Sequence, residues 1–218
     1  GHAALFAQFR LDSIAPIYNP EFITPEESSL PSDTRVIGVN WAGESKAYPV
    51  AVLDYRELVN DRLGDTEILV SWCPLCGSGL VFDRELDGQQ LTFGNTGVLY
   101  HGAMAIYDHE TRSIWSQPLG QALSGPLAGA RLRLLPMQLT TIARWTADHP
   151  DTLILDEPTR FQDSVRDPAT LVLGISVDGQ MQAAYYLDDL LQQGVLEIEL
   201  ASQPVVIFAF EQRVRVFD

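Results

Sequence analysis

Apolar residues in this chain fall in short runs punctuated by glycine, the pattern of strands joined by tight turns rather than of long amphipathic helices. Val36-Ile37-Gly38-Val39 predicts a strand, Ala42-Gly43 a turn and the stretch through Ala47 a second strand. A short helical piece then leads into two further strands that end at Val81-Phe82-Asp83. The same succession returns near the C-terminus. Val172-Leu173-Gly174-Ile175 follows the first run at an offset of 136, with Asp178-Gly179 and Ala183 in the places of Ala42-Gly43 and Ala47, and Val216-Phe217-Asp218 follows at an offset of 135. One deletion reconciles the offsets, so the chain reads as two copies of one unit.

The segment between the copies has a different character. Leu86-Asp87-Gly88-Gln89 predicts a hairpin turn between Val81-Phe82 and Leu91-Thr92-Phe93, and short apolar runs alternate with Gly, Asn and Pro as far as Pro136. Thr140 to Asp148 is the best helix, with a Thr cap, apolar Ile142 and Trp145, and a stop at His149-Pro150. Glu157 to Pro168 reads as a polar linker, and Pro16, Pro20, Pro25 and Pro31 as an extended strap. The expected fold class is therefore α+β and β-rich with few short helices. Its expected organisation is a strap over 1–34, a first unit over 35–83, a β-rich central segment over 84–169 and a second unit over 170–218.

Composition narrows what such a chain does. With 218 residues, 46% of them hydrophobic, it can bury a sizeable core as one large domain or two small ones. Fourteen Lys and Arg against 29 Asp and Glu give a net charge of −15. That balance argues against nucleic acid, whose phosphates need clustered cations, and against anionic membrane surfaces. The densest apolar stretch, Pro204 to Phe210, is far short of the roughly 20 residues of a spanning helix. Gly1-His2 reads as a purification remnant, which sets His2 aside and leaves room for a removed leader or lipid anchor. Whether the partner is a small molecule or a protein is not legible.

The two cysteines, Cys73 and Cys76, lie in Ser71-Trp72-Cys73-Pro74-Leu75-Cys76-Gly77 and carry the strongest chemical signal. Two thiols at this spacing hold one soft metal ion, exchange as a redox pair, or close as a small disulfide. In a thioredoxin-type pair the leading cysteine opens a helix, whereas here Gly77-Ser78-Gly79-Leu80-Val81-Phe82 is glycine-rich and then strand-like. A full zinc ribbon is excluded because there is no second cysteine pair. Histidine remains as a supplementary donor. On one continuous strand over 100–109, His101 and His109 would stand roughly 26 Å apart at about 3.3 Å per residue, so one metal cannot hold both. His101, close to Met104, is the better third ligand for copper or zinc, the alternative being a surface imidazole on a turn. His149, before a proline at a helix end, is explained by capping. A structural staple is a weak motive, since closing so short a loop stabilises by only about 2 kcal/mol. At an offset of 135 the second copy places Phe208 and Glu211 where the first has Cys73 and Cys76, so the scaffold does not require the sulfurs. Asn95, Asp108, Trp115 and Gln117 are candidates for the polar and aromatic lining of a substrate pocket; the competing assignment puts Asn95 and Asp108 in hairpin turns and Trp115 in the core.

The succession Val36-Ile37-Gly38-Val39, Lys46-Ala47-Tyr48-Pro49, Val59-Asn60-Asp61, Trp72-Cys73-Pro74-Leu75-Cys76-Gly77, Val81-Phe82-Asp83-Arg84, Tyr107-Asp108, Trp115-Ser116-Gln117 and His149-Pro150-Asp151-Thr152-Leu153 resembles the bacterial and archaeal domain of unknown function numbered 3179, in one order from about residue 12 to the end. The resemblance carries no assigned reaction. It implies Cys73, Cys76, Asp108, Trp115 and Gln117 as motif positions, leaves His101 and His109 outside the motif, and implies export, because family members often resemble exported or lipid-anchored proteins. The reading reached from sequence is an exported soft-metal-binding or redox-active dithiol protein centred on Cys73 and Cys76, with a metal-assisted oxidoreductase as the enzyme class. The alternative is a non-enzymatic interaction module whose cysteines form a local staple.

Overall fold

The computed structural model describes residues 11–157, 172–177, 180–200, 203–210 and 213–217. By internal contact the chain divides into two compact units, Gly1–Gln162 and Asp163–Asp218. The linker expected after Glu157, the Asp178-Gly179 turn, Gly1-His2 and Asp218 fall outside the described residues. Among the described residues no helix is long and apolar enough to cross a membrane.

The first unit stacks three sheets. Strands β1 (Phe22–Ile23), β2 (Arg35–Trp41), β3 (Glu44–Pro49), β14 (Gln138–Thr141) and β15 (Leu153–Leu155) form the first, in the order β1-β15-β3-β2-β14. The second runs β13-β6-β5-β4, from β4 (Leu58–Leu63), β5 (Thr66–Cys73), β6 (Ser78–Asp83) and β13 (Leu134–Leu135). The third runs β12-β11-β10-β9, from β9 (Phe93–Tyr100), β10 (Ala103–Asp108), β11 (Ile114–Ser116) and β12 (Gln121–Ser124). Alternation along β5 fills both sides of the middle sheet. Ile68, Val70 and Trp72 join Ile37 and Val39 of β2 and Val52 and Leu53 of α1 (Val50–Arg56) in one core. Leu69 and Cys73 face the other way, into a second core with Phe93, Met104, Ile106 and Trp115 of the third sheet. The cysteine pair therefore belongs to the seam between the middle and third sheets.

Turn chemistry sets the registers. Ala42-Gly43, Asp87-Gly88 and His101-Gly102 each take positive φ at both residues, which matches the right-handed twist of a two-residue hairpin. The Asp87-Gly88 turn joins only the short β7 (Glu85–Leu86) and β8 (Gln89–Gln90). The flanking β6 does not pair with β9 as the sequence pattern indicates; it pairs with β5 and β13, because Arg84 is drawn inside, donating to the Ile68 and Leu91 carbonyls and pairing with Glu67.

The helix expected over 140–148 forms as α2 (Ile142–Asp148), with one difference. Thr141 stands at the N-cap in extended geometry, but its side chain makes no cap bond. The first helical amides go instead to the strap, Ile142 N–H to the Thr34 carbonyl at 2.8 Å and Ala143 N–H to the Ser32 carbonyl at 3.0 Å. Trp145 of this helix lies on Gly38, where an added Cβ would sit 2.3 Å from the indole ring, so the strand needs glycine there to bring helix and sheet together.

The second unit runs β16 (Val172–Val177), β17 (Gln180–Tyr186), α3 (Leu187–Gln193), β18 (Val195–Leu200), β19 (Gln203–Phe210) and β20 (Arg213–Phe217). This is the element order of β2, β3, α1, β4, β5 and β6. Leu190, Val205, Ile207 and Ala209 make its core.

Candidate functional site

Cys73 is the last residue of β5 and pairs with Ser78 of β6, so Pro74 to Gly77 form the connecting turn, closed by Gly77 at φ 61°. Within it the Cys76 N–H points back at Cys73, 3.1 Å from its carbonyl oxygen and 3.3 Å from its Sγ. Cys73 and Cys76 are joined by a disulfide with their Cα atoms 5.3 Å apart. The two sulfurs sit in unlike surroundings. Cys73 is 1% exposed against Leu69, Met104 and Trp115, whereas Cys76 is half-buried and Leu75 between them is 69% exposed. The chain leaves the turn as a strand, so no helix dipole acts on either sulfur.

His101 lies in the exposed turn between β9 and β10, its φ at 50° and its ring against Tyr100 at 4.4 Å. Residues 100–109 are therefore not one strand, as the 26 Å separation of the histidines assumed: the chain reverses at His101-Gly102, and β10 alone separates His101 from His109. The same turn approaches the disulfide, the Cys76 Sγ lying 3.7 Å from the Gly102 carbonyl oxygen. Met104 is buried in the core that holds Cys73. Among the described residues no three His, Cys, Asp or Glu side chains gather as a metal-ligating group.

Asp108, Trp115 and Gln117 are fully buried, and Asn95 is 2% exposed. The Asp108 carboxylate accepts from Thr111 N–H at 2.5 Å, Thr111 Oγ1 at 3.0 Å and Trp115 Nε1 at 2.8 Å, which ties the β10–β11 connection to the core. Gln117 donates through Nε2 to Ser71 Oγ at 3.2 Å, and its Oε1 has no hydrogen-bond partner. Ser71 is two residues before Cys73 on β5, so the same face of this strand carries both. Asn95 belongs elsewhere. Its N–H donates to Asp12 Oδ1 at 2.8 Å and its Nδ2 to the Glu57 carboxylate.

Around Asn95 the structure assembles Asp12, Tyr18 and Glu57, which the sequence pattern did not single out, together with Tyr107 and His109, which it did. Asp12 accepts from Tyr107 Oη at 2.6 Å; His109 Nε2 stands 3.7 Å from Asp12 and 3.2 Å from Tyr18 Oη. Burial, then the bond to Asp12 and its charge, push the Tyr107 phenol up to about 12. Burial raises the Glu57 carboxyl above its ordinary value, opposed by the bond from Asn95. Glu57 closes α1 at φ 61°, a conformation that glycine usually supplies. A signal for it was present in the repeat, because Gly194 ends α3 at φ 75°. Two shallow grooves, one at Lys46, Asp151 and Leu153 and one at Leu30, Ile142 and Thr146, lie away from the cysteines.

No curated protein and no solved structure matches the chain. A protein-family profile described as a protein of unknown function, DUF3179, matches residues 11–164, which takes in all three sheets of the first unit and stops short of the second copy that the resemblance had included. Over that span, with its Cys-Pro-Leu-Cys turn and the buried Tyr107-Asp108 and Trp115-Ser116-Gln117 segments, the chain belongs to the DUF3179 family.

Proposed function

We propose that the protein is a dithiol–disulfide exchange protein in which Cys73 and Cys76 cycle between joined and reduced forms. The observation that carries this reading is the place of the disulfide. It spans a turn that the β5–β6 ladder already closes through Cys73 and Ser78, with one sulfur in the core and the other toward the surface. A link confined to four residues stabilises by only about 2 kcal/mol on the chain-entropy estimate, which leaves exchange rather than stability as its use. Met104 shares the core that holds the buried sulfur, and the Gln117–Ser71 hydrogen bond lies on the same face of β5, two residues before it. Persistence of such a bond favours an oxidising compartment, so the reading carries export with it.

A second reading has one contact in its favour: Gly102, which touches Cys76, adjoins His101, so the reduced pair and His101 would serve as a copper or zinc site. Thiol titration and metal analysis of the folded protein separate the readings. Exchange predicts no free thiol in the isolated protein, two after dithiothreitol with the fold retained, and reoxidation to none. A pair that becomes reducible only on unfolding would overturn it, and stoichiometric metal in the reduced protein would favour the second reading.

A further inference from the structure

The geometry points to Cys76 as the sulfur a partner attacks and Cys73 as the one that leaves, with a dithiol protein as the partner. This deepens the exchange reading and rests on it. In a pair whose first cysteine opens a helix, the first sulfur is the one activated. Here the polarity is reversed, for three reasons.

Access comes first. An attacking thiolate must approach along the line of the S–S bond, and Cys73 is 1% exposed while Cys76 is half-buried on an exposed turn. Second, a leaving thiolate needs a donor, the more so in the apolar core that holds Cys73, where burial disfavours the charge. The Cys76 N–H stands 3.3 Å from Cys73 Sγ and supplies that hydrogen bond against the cost of burial. Third, the acceptor beside Cys76 suits the neutral thiol. The Gly102 carbonyl oxygen, 3.7 Å from Cys76 Sγ, takes an S–H and repels a thiolate.

The exchange then balances. The partner's first thiolate forms a bond to Cys76 Sγ as the Cys73–Cys76 bond breaks, and Cys73 leaves with the electron pair. The partner's second thiolate attacks its own first sulfur in the mixed disulfide, Cys76 leaves with the electron pair, and both released thiolates, Cys73 and Cys76, take protons from solvent. Two electrons have passed from the partner dithiol, now a disulfide, to this protein, now a dithiol.

A protein fits this role better than a small anionic thiol. Leu75, 69% exposed between the cysteines, and Leu99, 45% exposed on the β9–β10 hairpin whose turn touches Cys76, offer apolar contact that only a macromolecule covers. The net charge of −15 repels an anionic tripeptide such as glutathione and steers in a partner with a basic docking face.

The test uses the full chain, oxidised, and a thioredoxin-type protein with its resolving cysteine removed, so that the mixed disulfide accumulates and peptide mass spectrometry assigns it. Linkage to Cys76 is expected; linkage to Cys73 overturns the polarity while leaving exchange intact. If dithiothreitol fails to reduce the folded chain, the exchange reading itself falls, and the inference with it. The single variants give a second readout. The lone thiol of Cys73→Ser should react with a disulfide dye at least about tenfold faster than that of Cys76→Ser, as follows from unequal access; equal rates count against the assignment. For the partner, the ratio of reduction rate with intact thioredoxin to that with dithiothreitol should fall about fivefold in Leu75→Ser. An unchanged ratio, or glutathione matching the protein dithiol in rate, overturns a protein partner.

Discussion

The run from β2 to β6 and the run from β16 to β20 share one element order, and besides a bulge in β16–β17 two differences between them bear on the site. In both, a seven-residue helix ends on a residue at positive φ, Glu57 or Gly194. In both, that residue's N–H reaches back four residues, to the Leu53 carbonyl at 2.8 Å or the Leu190 carbonyl at 2.9 Å. In both, its carbonyl accepts from the second strand after the helix, from Trp72 N–H of β5 at 2.8 Å or Ala209 N–H of β19 at 2.7 Å. The plan asks for a left-handed residue at this corner. One copy meets it with glycine at little cost, and the other places a half-buried carboxyl there and holds it with Asn95. The second difference is the turn after β5. Four residues, Pro74 to Gly77, separate the paired Cys73 and Ser78, whereas two separate the paired Phe210 and Arg213. The cysteine turn is an elaboration of a hairpin that its counterpart makes without it.

Substitutions test how much of this comparison is architecture. The largest effect belongs to Gly38, where the β2-to-β6 run depends on α2, a helix outside the run. Gly38→Val should cost about 3 kcal/mol or more in urea unfolding, because the side chain has to displace the Trp145 ring from the strand. Next comes the turn. Cys73→Ser/Cys76→Ser should lose no more than about 2 kcal/mol and keep its circular dichroism spectrum; a collapse of the fold would make the sulfurs part of the scaffold after all. Smaller again, Gly194→Ala should cost about 1 kcal/mol at its left-handed corner, read as a shift in urea midpoint of the second unit's transition.

The smallest effect is a pH slope. Burial raises Glu57 above its ordinary 4.5, so the folded chain holds that proton to higher pH than the unfolded chain does. Its contribution to stability is present below about 4.5 and is lost as pH rises through the raised value. Glu57→Gln should flatten that decline while changing stability little at the acid end, measured by urea melts across the window.

Strand positions were legible because each depends on neighbours in sequence: the short apolar runs Val36–Val39 and Val81-Phe82 marked β2 and β6, and Ala42-Gly43 and Asp87-Gly88 marked the β2–β3 and β7–β8 turns. Partnership was not. Nothing local says that β6 goes to β13 instead of β9, since the decision lies with Arg84 finding carbonyls 7 and 16 residues away. The repeat was visible, yet its alignment needed pairing. The β3-to-β5 part of the copy sits at an offset of 137, since Ala184 faces Gly174 as Ala47 faces Gly38, and a bulge in β16–β17 accounts for the shift from 136. The counterpart of Cys73 is then Phe210 rather than Phe208, and the two-residue deletion falls inside the cysteine turn. At the site, the Cys-Pro-Leu-Cys spacing marked the sulfurs directly. The unequal burial of the two, and the Asn95–Glu57–Asp12 cluster, come from segments that meet only in the folded chain, such as Asp12 with Asn95, 83 residues apart.

The N-terminal strap has a consequence for how this unit must be handled. Ile17 is bonded on both sides to β4, its N–H to the Leu58 carbonyl at 2.9 Å and its carbonyl to Asn60 N–H at 2.8 Å, while Ser32 and Thr34 stand in for the turn that α2 lacks. Trimming to residue 35, where the first long strand begins, would therefore unsaddle a helix at one end and bare the edge of a sheet at the other. A shortened version meant for expression has to keep residues 12–34, however loop-like their prolines make them look.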